Sequence, residues 1–351
     1  MTHRHCFEAL DRTLRDILRF KDASNEDRLF GGMVVVFGGD FRQILPVIPK
    51  GSRHDIVNAS LNSSHLWNHC QVLKLHVNMR LQIGDGKIGE PNDGDGIIDI
   101  LEELLITDTV DPIGSLISFT YSDISRNISD PSYFRDRVIL GPTHEVVDII
   151  NDRLLSMIPG TETVYLSSDS ISECEDVSGM NSALWSPEVL NNLKLSGLLN
   201  HKLILKQNAP VMLLRNIDQP NGLCNGTRLQ IVKLGKNLIE AKIMTGTNNG
   251  NHVFIPRMRL TPSDKRIPFK INRKQFPLAL YFAMTINKSH GQFLSHFGLY
   301  LPRPVFTHGQ LYVAVSRVKT KKGLKILICD KDNNISSTTT NVVYKEVLQN
   351  L

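Results

Sequence analysis

The feature that most constrains the fold is a short apolar run that leads directly into a polar loop. Residues 33–37, "MVVVF", contain three consecutive valines, and Gly38, Gly39 and Asp40 follow at once. A short run rich in β-branched residues predicts a central strand of a parallel sheet that is covered on both faces. Ligands of open α/β sheets bind beyond the carboxyl ends of the strands, so the loop that ends at Gln43 is a candidate ligand site.

A second strand-turn-helix pattern begins at residue 137. The stretch "RVILGPTHEVVDIINDRLL" (137–155) contains an apolar strand, a Gly-Pro turn and then apolar residues at helical spacing. Val146, Ile149, Ile150 and Leu154 fall on one face of the predicted helix, which is the pattern of a β-α unit. We therefore place a domain boundary between residues 135 and 136.

The pattern changes again over residues 203–275. Short apolar segments alternate there with Asn-Gly and Gly-Asn turns, which predicts a small antiparallel barrel. The segments "LALYFAMTINKSHG" and "LKILICD" that follow are again typical of strands in a buried sheet. We therefore predict that the barrel is inserted into a second α/β domain, which consists of residues 136–202 and 276–351.

The region before residue 136 carries weaker patterns. Five apolar residues at helical spacing predict an amphipathic opening helix over residues 7–20. Alternating apolar residues predict another strand at 72–81, and glycine and aspartate predict a loop at 84–96. The segment "GIIDILEELL" (96–105) predicts a short helix.

Composition narrows the class of protein. The chain has no apolar run near the ~18 residues that a membrane helix needs, and its charged N-terminus lacks the apolar core of a signal peptide. The five cysteines lie far apart without a C-x-x-C pair, which indicates a reducing compartment. No group of side chains has the spacing of metal ligands, so we expect no metal site from these residues.

The net charge of +5 is unevenly distributed. Residues 84–130 contain eleven acidic and two basic residues, whereas residues 257–274 contain seven basic residues and one acidic residue. The basic segment suits contact with phosphates, although a solvated basic surface explains it equally well.

Three polar residues lie just beyond predicted strands or helices. Gln43 follows the strand at 33–37, Arg80 lies just past the apolar residues of the strand in 72–81, and Arg317 follows an apolar stretch that begins after Gln310. A glutamine in such a loop can orient an attacking water and sense a γ-phosphate. Two arginines at the ends of separate elements indicate charge-assisted contacts with a polyphosphate.

Three long segments carry a family resemblance: "VVVFGGDFRQILPVIPKGSRHDIVNAS", "LNHKLILKQNAPVMLLRNIDQPNGLCNGTRL" and "LPRPVFTHGQLYVAVSRV". Together they resemble the Pif-type (petite integration frequency) superfamily-one DNA helicases, and they are most similar to the branch encoded by plant Helitron transposons. The resemblance implies an α/β RecA-like helicase core with an inserted antiparallel β-barrel. Residues 1–135 would be part of the first RecA-like domain, and the second domain would be complete.

The resemblance also implies roles for single residues at the ATP site. Gln43, Arg80 and Arg317 would act at the γ-phosphate across the cleft between the domains. The residues that would lie against the nucleotide are Asp40, Gly309 and Gln310. The family uses ATP and Mg²⁺, acts on single-stranded or forked DNA in repair and recombination, and works in the nucleus.

DNA contacts would come from two places. The motif that links ATP to the DNA strand would provide Thr285, Asn287, Lys288, Ser289 and His290. The basic residues of the barrel that would follow a DNA backbone are Arg257, Arg259, Lys265 and Arg266. Two nearby aromatic residues, Phe254 and Phe269, would either contact bases or fill the core of the barrel.

The sequence departs from the family pattern at several points. The family motif Lys-Ser-Gln-Gly is Lys288-Ser289-His290-Gly291 here, and Phe293 replaces a small polar residue. No G-x-x-x-x-G-K-[ST] phosphate loop occurs in the 351 residues. By the resemblance, the acidic pair that holds Mg²⁺ would precede Met1, so we expect an N-terminally truncated chain.

Three hypotheses remain open at this point. In the first, the chain derives from an ATP-dependent 5′-to-3′ DNA helicase and neither hydrolyses ATP nor unwinds DNA alone, because the phosphate loop and metal are missing. In the second, it is a non-catalytic protein that binds single-stranded DNA. In the third, it is a gene remnant without a folded product.

Overall fold

The computed structural model describes residues 1–73, 81–86, 94–171, 186–193, 199–261 and 271–349. The helices in these ranges are α1 (Arg4–Leu18), α2 (Arg53–Asn58), α3 (Leu81–Gly84), α4 (Pro112–Thr120), α5 (Ile124–Asn127), α6 (Pro131–Arg135), α7 (His144–Met157), α8 (Pro187–Asn192), α9 (Gln310–Ser316) and α10 (Lys345–Leu348). Among the described residues, no helix is both long and apolar enough to span a membrane.

Sixteen strands lie in the same described ranges. They are β1 (Asp95–Asp99), β2 (Arg137–Gly141), β3 (Thr163–Leu166), β4 (Ser168–Ile171), β5 (Lys202–Leu205), β6 (Pro210–Leu213), β7 (Arg228–Leu234), β8 (Leu238–Ile243), β9 (His252–Pro256), β10 (Met258–Leu260), β11 (Ile271–Gln275), β12 (Leu278–Leu280), β13 (Ala283–Thr285), β14 (His296–Leu301), β15 (Leu324–Ile328) and β16 (Thr338–Val342).

A parallel sheet forms the centre of the α/β part, with the strand order β13-β2-β14-β15. Side chains alternate across it, so Val138 and Leu140 pack on one face and Ile139 on the other. Helix α9 covers the first face, and α4 and α7 cover the second. The β-α unit at 137–155 and the strands in 278–291 and 324–330 are therefore confirmed.

The predicted antiparallel barrel is also confirmed. Its main sheet has five antiparallel strands in the order β12-β6-β7-β8-β9, and its core includes Leu229, Ile231, Ile255 and Phe276. Two smaller sheets join it, β10-β11-β4 and β3-β5. Strands β3, β4 and β12 lie outside residues 203–275, so the β-structured part draws on both flanking segments.

The predicted buried strand at residues 33–37 is wrong. The segment is extended but has no strand partner among the described residues, and the side chains of Val34 and Val36 are 92% and 88% exposed. An apolar run shows that burial on both faces would be favourable, but it does not supply the neighbouring strands. Neither Gly38 nor Gly39 has a positive φ, so neither adopts the left-handed conformation that favours glycine.

The two helices predicted for residues 1–135 have different outcomes. Helix α1 confirms the opening helix, although Leu10 and Ile17 on its apolar face are exposed. The short helix predicted over 96–105 is wrong, because residues Asp95–Asp99 form β1, which pairs antiparallel with β16. The strand predicted at 72–81 and most of the loop predicted at 84–96 fall outside the described residues.

A buried ion pair joins the sheet β10-β11-β4 to α8. The side chains of Arg273 on β11 and Asp169 on β4 are each only 1% exposed, and a guanidinium nitrogen of Arg273 lies 2.7 Å from a carboxylate oxygen of Asp169. Arg273 also donates to the carbonyl oxygens of Leu190 at 2.8 Å and Leu199 at 2.7 Å. The pair therefore satisfies its hydrogen-bonding groups inside the protein.

Candidate functional site

The loop at residues 40–43 is a compact turn. Asp40 accepts from the backbone N–H of Arg42 through its side chain, at 3.0 Å, and from the N–H of Gln43 through its carbonyl, also at 3.0 Å. An aspartate that bonds to the backbone two residues ahead fixes a turn without help from other elements. The turn presents Gln43, which is partly buried, beside the helix α9.

The residues at the start of α9 lie directly against this turn. A Cβ atom on Gly309 would lie 2.2 Å from the carbonyl oxygen of Arg42, so only glycine permits the approach, and Gly309 has a φ of +70°. The Nε2 of His308 lies 2.8 Å from the carbonyl oxygen of Phe41. The hydroxyl of Tyr312 donates to the Asp40 carboxylate at 2.8 Å. Backbone contact and hydrogen bonds thus join two segments that are far apart in sequence.

Charged groups surround the same contact. Arg42 forms an ion pair with Asp85 and a second, longer one with Asp40, at 3.6 Å. Burial raises the pKa of Tyr312 to about 12, and its hydrogen bond to the Asp40 carboxylate acts in the same direction. Tyr312 therefore stays protonated and keeps donating to Asp40 across the physiological pH range.

Gln310 connects this contact to the segment after β13. The side chain of Gln310 is fully buried, accepts from the N–H of Phe306 at 3.2 Å and donates to the side chain of Asn287 at 3.5 Å. Arg317, only 7% exposed, lies at the other end of α9, where its guanidinium donates to the carbonyl of Val313 at 3.0 Å. Arg80 lies outside the described residues.

The segment from Thr285 to His290 contains both buried and exposed candidates. Thr285 is buried at the end of β13, and Ser289 is fully buried and donates to the carbonyl of Ile286 at 2.7 Å. Asn287, Lys288 and His290 are exposed. Partial burial, together with nearby positive charge including that of Arg317, lowers the pKa of His290. The three exposed side chains are thus the ones that a ligand in solvent could contact.

The basic residues predicted for the barrel have different environments. The guanidinium of Arg257 donates to the carbonyl of Leu166 at 2.7 Å and lies 4.8 Å from the ring centroid of Phe276. Arg259 on β10 is exposed. Lys265, Arg266 and Phe269 lie outside the described residues. Phe254 is exposed on β9, so it does not fill the core of the barrel.

The sequence comparisons with known proteins all match Pif1-type DNA helicases. Residues 1–104 match the family described as PIF1-like helicase, and residues 188–234 match the 2B domain of the DNA helicase Pif1. The chain is 27% identical over 310 residues to the ATP-dependent DNA helicase PIF1 of Xenopus laevis, covering 87% of this chain and 42% of that protein.

This chain is similar in sequence to the PIF1-like helicases.

Solved structures of Pif1 proteins share its fold. The Pif1 helicase from Candida albicans has a TM-score of 0.56 at 22% identity, covering 99% of this chain and 74% of that one. The Bacteroides Pif1 structure in complex with ADP-AlF3 and ssDNA has a TM-score of 0.56 at 21% identity, with 96% and 70% covered. The expected RecA-like α/β fold is therefore confirmed. The chain spans about two-fifths of the length of the Xenopus relative.

The residues present do not form a complete site for ATP and Mg²⁺. In the described ranges, no group of three or more His, Cys, Asp or Glu residues could hold a metal ion. The Asp40 carboxylate is already bonded to the Arg42 backbone and to the Tyr312 hydroxyl. The 351 residues also contain no phosphate loop, so they do not by themselves provide the groups that would hold the phosphates of ATP.

Three contact residues of the site were not found from the sequence. His308 and Tyr312 flank the predicted Gly309 and Gln310, and Asp85 pairs with Arg42 across 43 positions. Tyr312 lies one helical turn after Gly309, a spacing that places both on the same side of α9 and that could have indicated it. No pattern in the sequence predicts the ion pair between Arg42 and Asp85.

Acidification is expected to destabilise the chain through His308. Its Nδ1 accepts from the N–H of Tyr344 at 2.7 Å, and burial lowers the pKa of His308 below the ordinary 6.5. The unfolded chain therefore binds the proton first as the pH falls. The contribution of His308 to the free energy of unfolding is complete above about pH 6.5 and decreases below it until the folded-state pKa is reached. The slope is at most about 1.4 kcal/mol per pH unit.

The measurement is urea unfolding of the wild type and of His308→Gln at several values between about pH 7.5 and 5. Asp40, Glu346 and Arg53 face His308 in both proteins, and the other histidines with lowered pKa values, His290 and His296, titrate in both, so these contributions largely cancel. The stability difference between the two proteins should shrink as the pH falls. A difference that is independent of pH would contradict the assignment to His308.

Proposed function

We propose that this chain works as the γ-phosphate-sensing and DNA-binding part of an ATP-dependent 5′-to-3′ DNA helicase of the Pif type. Gln43, Arg80 and Arg317 would sense the γ-phosphate, and Asp40, Gly309 and Gln310 would lie beside the nucleotide. Without a phosphate loop, the chain alone would not hydrolyse ATP, because the transferred phosphoryl group would lack most of its stabilisation.

One observation carries this proposal: α9 contacts the loop at 40–43 and the segment after β13 at the same time. Gly309 lies against the Arg42–Gln43 peptide, and the next residue, Gln310, bonds to Asn287. A change in the position of the loop at Gln43 would therefore shift Gly309 and Gln310. Through Asn287, that shift would move the segment that carries the exposed Lys288 and His290. Coupling between nucleotide binding at one site and DNA binding at another needs a physical connection of this kind.

The finer assignments follow from the resemblance. We propose that the chain belongs to the plant Helitron branch, acts in the nucleus and serves DNA repair and recombination. We also propose a division into a partial first RecA-like domain (1–135), a second RecA-like domain (136–202 and 276–351) and an inserted barrel (203–275). The partners would be single-stranded or forked DNA, since a Bacteroides Pif1 has been solved bound to ssDNA and another Pif1 structure concerns DNA unwinding at forked dsDNA.

The first test is binding to a fluorescently labelled oligothymidylate, followed by anisotropy at several salt concentrations. We expect salt-sensitive binding by the wild type, without steady ATP hydrolysis. Lys288→Ala should lower the slope of log affinity against log salt by about 0.7, the value for one phosphate contact with a single strand. Lys331→Ala, which removes another exposed lysine, is the matched control and should leave the slope unchanged.

A non-catalytic protein that binds single-stranded DNA is the alternative function. It predicts the same binding but no effect of nucleotide, so the discriminating measurement is DNA affinity with and without an ATP analogue. An analogue that changes DNA affinity in the wild type but not in Arg317→Ala supports the ATP-linked function. Steady ATP hydrolysis by the pure chain would contradict the proposed inactivity.

A further inference from the structure

Phe293 is an exposed aromatic ring on a firmly held backbone. Its side chain is 71% exposed, whereas Leu294 next to it is fully buried. Leu294 forms a parallel β-bridge with Val318, its N–H donates to the carbonyl of Arg317 at 2.9 Å, and its carbonyl accepts from the N–H of Lys319 at 3.3 Å. These bonds anchor the backbone immediately after the ring.

The residues before Phe293 are held as well. The N–H of Gln292 donates to the carbonyl of Ser289 at 3.1 Å, and its side-chain amide donates to the carbonyl of Lys288 at 3.3 Å. The side-chain oxygen of Gln292 accepts from Arg228, a buried residue of the barrel strand β7. The ring is therefore presented from a fixed position where the barrel meets the parallel sheet.

Three exposed lysines follow on the neighbouring segment: Lys319, Lys321 and Lys322. Successive side chains of an extended segment point to opposite sides, so Phe293 and Lys319 lie on the side away from the buried Leu294 and Val318. The lysine loop is held against this segment, since a Cβ on Gly323 would lie 1.9 Å from the carbonyl oxygen of Ser295. The exposed ring thus has exposed lysines on the segment next to it. Lys321 also pairs with Glu103 at 3.5 Å, but both side chains of that pair are more than half exposed to solvent.

We propose that Phe293 stacks on a base of a single-stranded nucleic acid whose phosphates are bound by Lys319, Lys321 and Lys322. The inference deepens the proposed function and depends on it, because it extends the DNA-binding surface beyond Lys288 and His290. Proteins that bind single strands combine aromatic rings that stack on bases with lysines that neutralise the backbone. The combination fits a polyanion with flat apolar groups better than a purely apolar partner.

The test uses the full chain with two labelled single strands of equal length, oligothymidylate and an abasic strand. Phe293→Ala should weaken binding of oligothymidylate about tenfold and leave binding of the abasic strand unchanged. Phe293→Trp should retain affinity and show fluorescence quenching on binding, whereas Phe293→Leu, which keeps an apolar side chain without a ring, should behave like the alanine variant. Phe20→Ala is the matched control, because Phe20 is 83% exposed and lies outside every proposed contact.

The outcomes separate this inference from the proposed function. Wild-type binding with unchanged affinity in Phe293→Ala would overturn the stacking role and leave the proposed function standing. Equal losses on both strands would also overturn it, since an abasic strand has nothing to stack. If the wild type itself fails to bind oligothymidylate at low salt, the proposed function and this inference fail together. Self-association of the wild type that disappears in Phe293→Ala would assign the surface to a second copy and overturn the proposal.

Discussion

Gly309→Ala is expected to release the loop at residues 40–43 from α9 and to destabilise the chain by roughly 2–5 kcal/mol. Two physical effects add. Alanine is strained at a φ of +70°, and its Cβ would lie 2.2 Å from the carbonyl oxygen of Arg42, a backbone atom that cannot rotate away. The loop must therefore move, which breaks the bonds of His308 to Phe41 and of Tyr312 to Asp40.

The measurement is the midpoint of urea unfolding, combined with limited proteolysis of the segment around residues 33–50. Gly246→Ala is the matched control, because Gly246 has a φ of +85° with no atom within 4 Å of the added Cβ. It should cost only the backbone strain, about 1 kcal/mol, and leave the protease pattern unchanged. Equal losses in the two variants would show that Gly309 matters only for its φ and that the close approach to Arg42 is not formed.

Asp169→Asn should destabilise the chain by about 3–5 kcal/mol, since it leaves the buried Arg273 guanidinium without its counter-charge. The two side chains are each 1% exposed, so solvent cannot replace the lost carboxylate. The carbonyl oxygens of Leu190 and Leu199 still accept from Arg273, but they carry no formal charge. Unfolding followed by circular dichroism measures the loss.

Two controls identify the cause of that loss. Glu103→Gln removes the partner of Lys321 from an ion pair whose side chains are both more than half exposed, and we expect a change below about 1 kcal/mol. The double variant Asp169→Leu/Arg273→Met removes both buried charges and should recover part of the stability, but not all of it, because the carbonyl oxygens of Leu190 and Leu199 then lose their donor. If Asp169→Asn costs no more than Glu103→Gln, the buried pair is not formed in solution.

Some residues of the candidate site could be named from the sequence, because their side chains suit a specific contact with a nucleotide. Gln43, Gly309, Gln310 and Arg317 were identified before the structure by their positions and by the family resemblance, and their roles stay predictions. The structure shows that Gly309 lies against the Arg42–Gln43 peptide and that Gln310 bonds to Asn287. Asp85 was not predictable, because its pairing with Arg42 depends on two loops that meet only in the folded chain.

The sequence also did not predict which side chains of a motif are buried and which are exposed. Ser289 and Lys288 are adjacent, yet Ser289 is fully buried and Lys288 is exposed. Arg257 belongs to the most basic segment of the chain, yet it is partly buried and its guanidinium bonds to the carbonyl of Leu166. Side-chain type sets which contacts are possible, and the surrounding packing sets which of them form.

The sequence by itself determined the local structures that depend on near neighbours. Apolar periodicity placed the β-α unit at residues 137–155, and turn residues placed the antiparallel strands of the barrel, because both signals arise within about a dozen residues. Only the tertiary structure decided the rest: the exposure of residues 33–37, the strand at 95–99 where a helix was predicted, and the contact of Gly309 with Arg42. Each of these depends on partners tens to hundreds of residues away, and the sequence does not encode such distances in any local pattern.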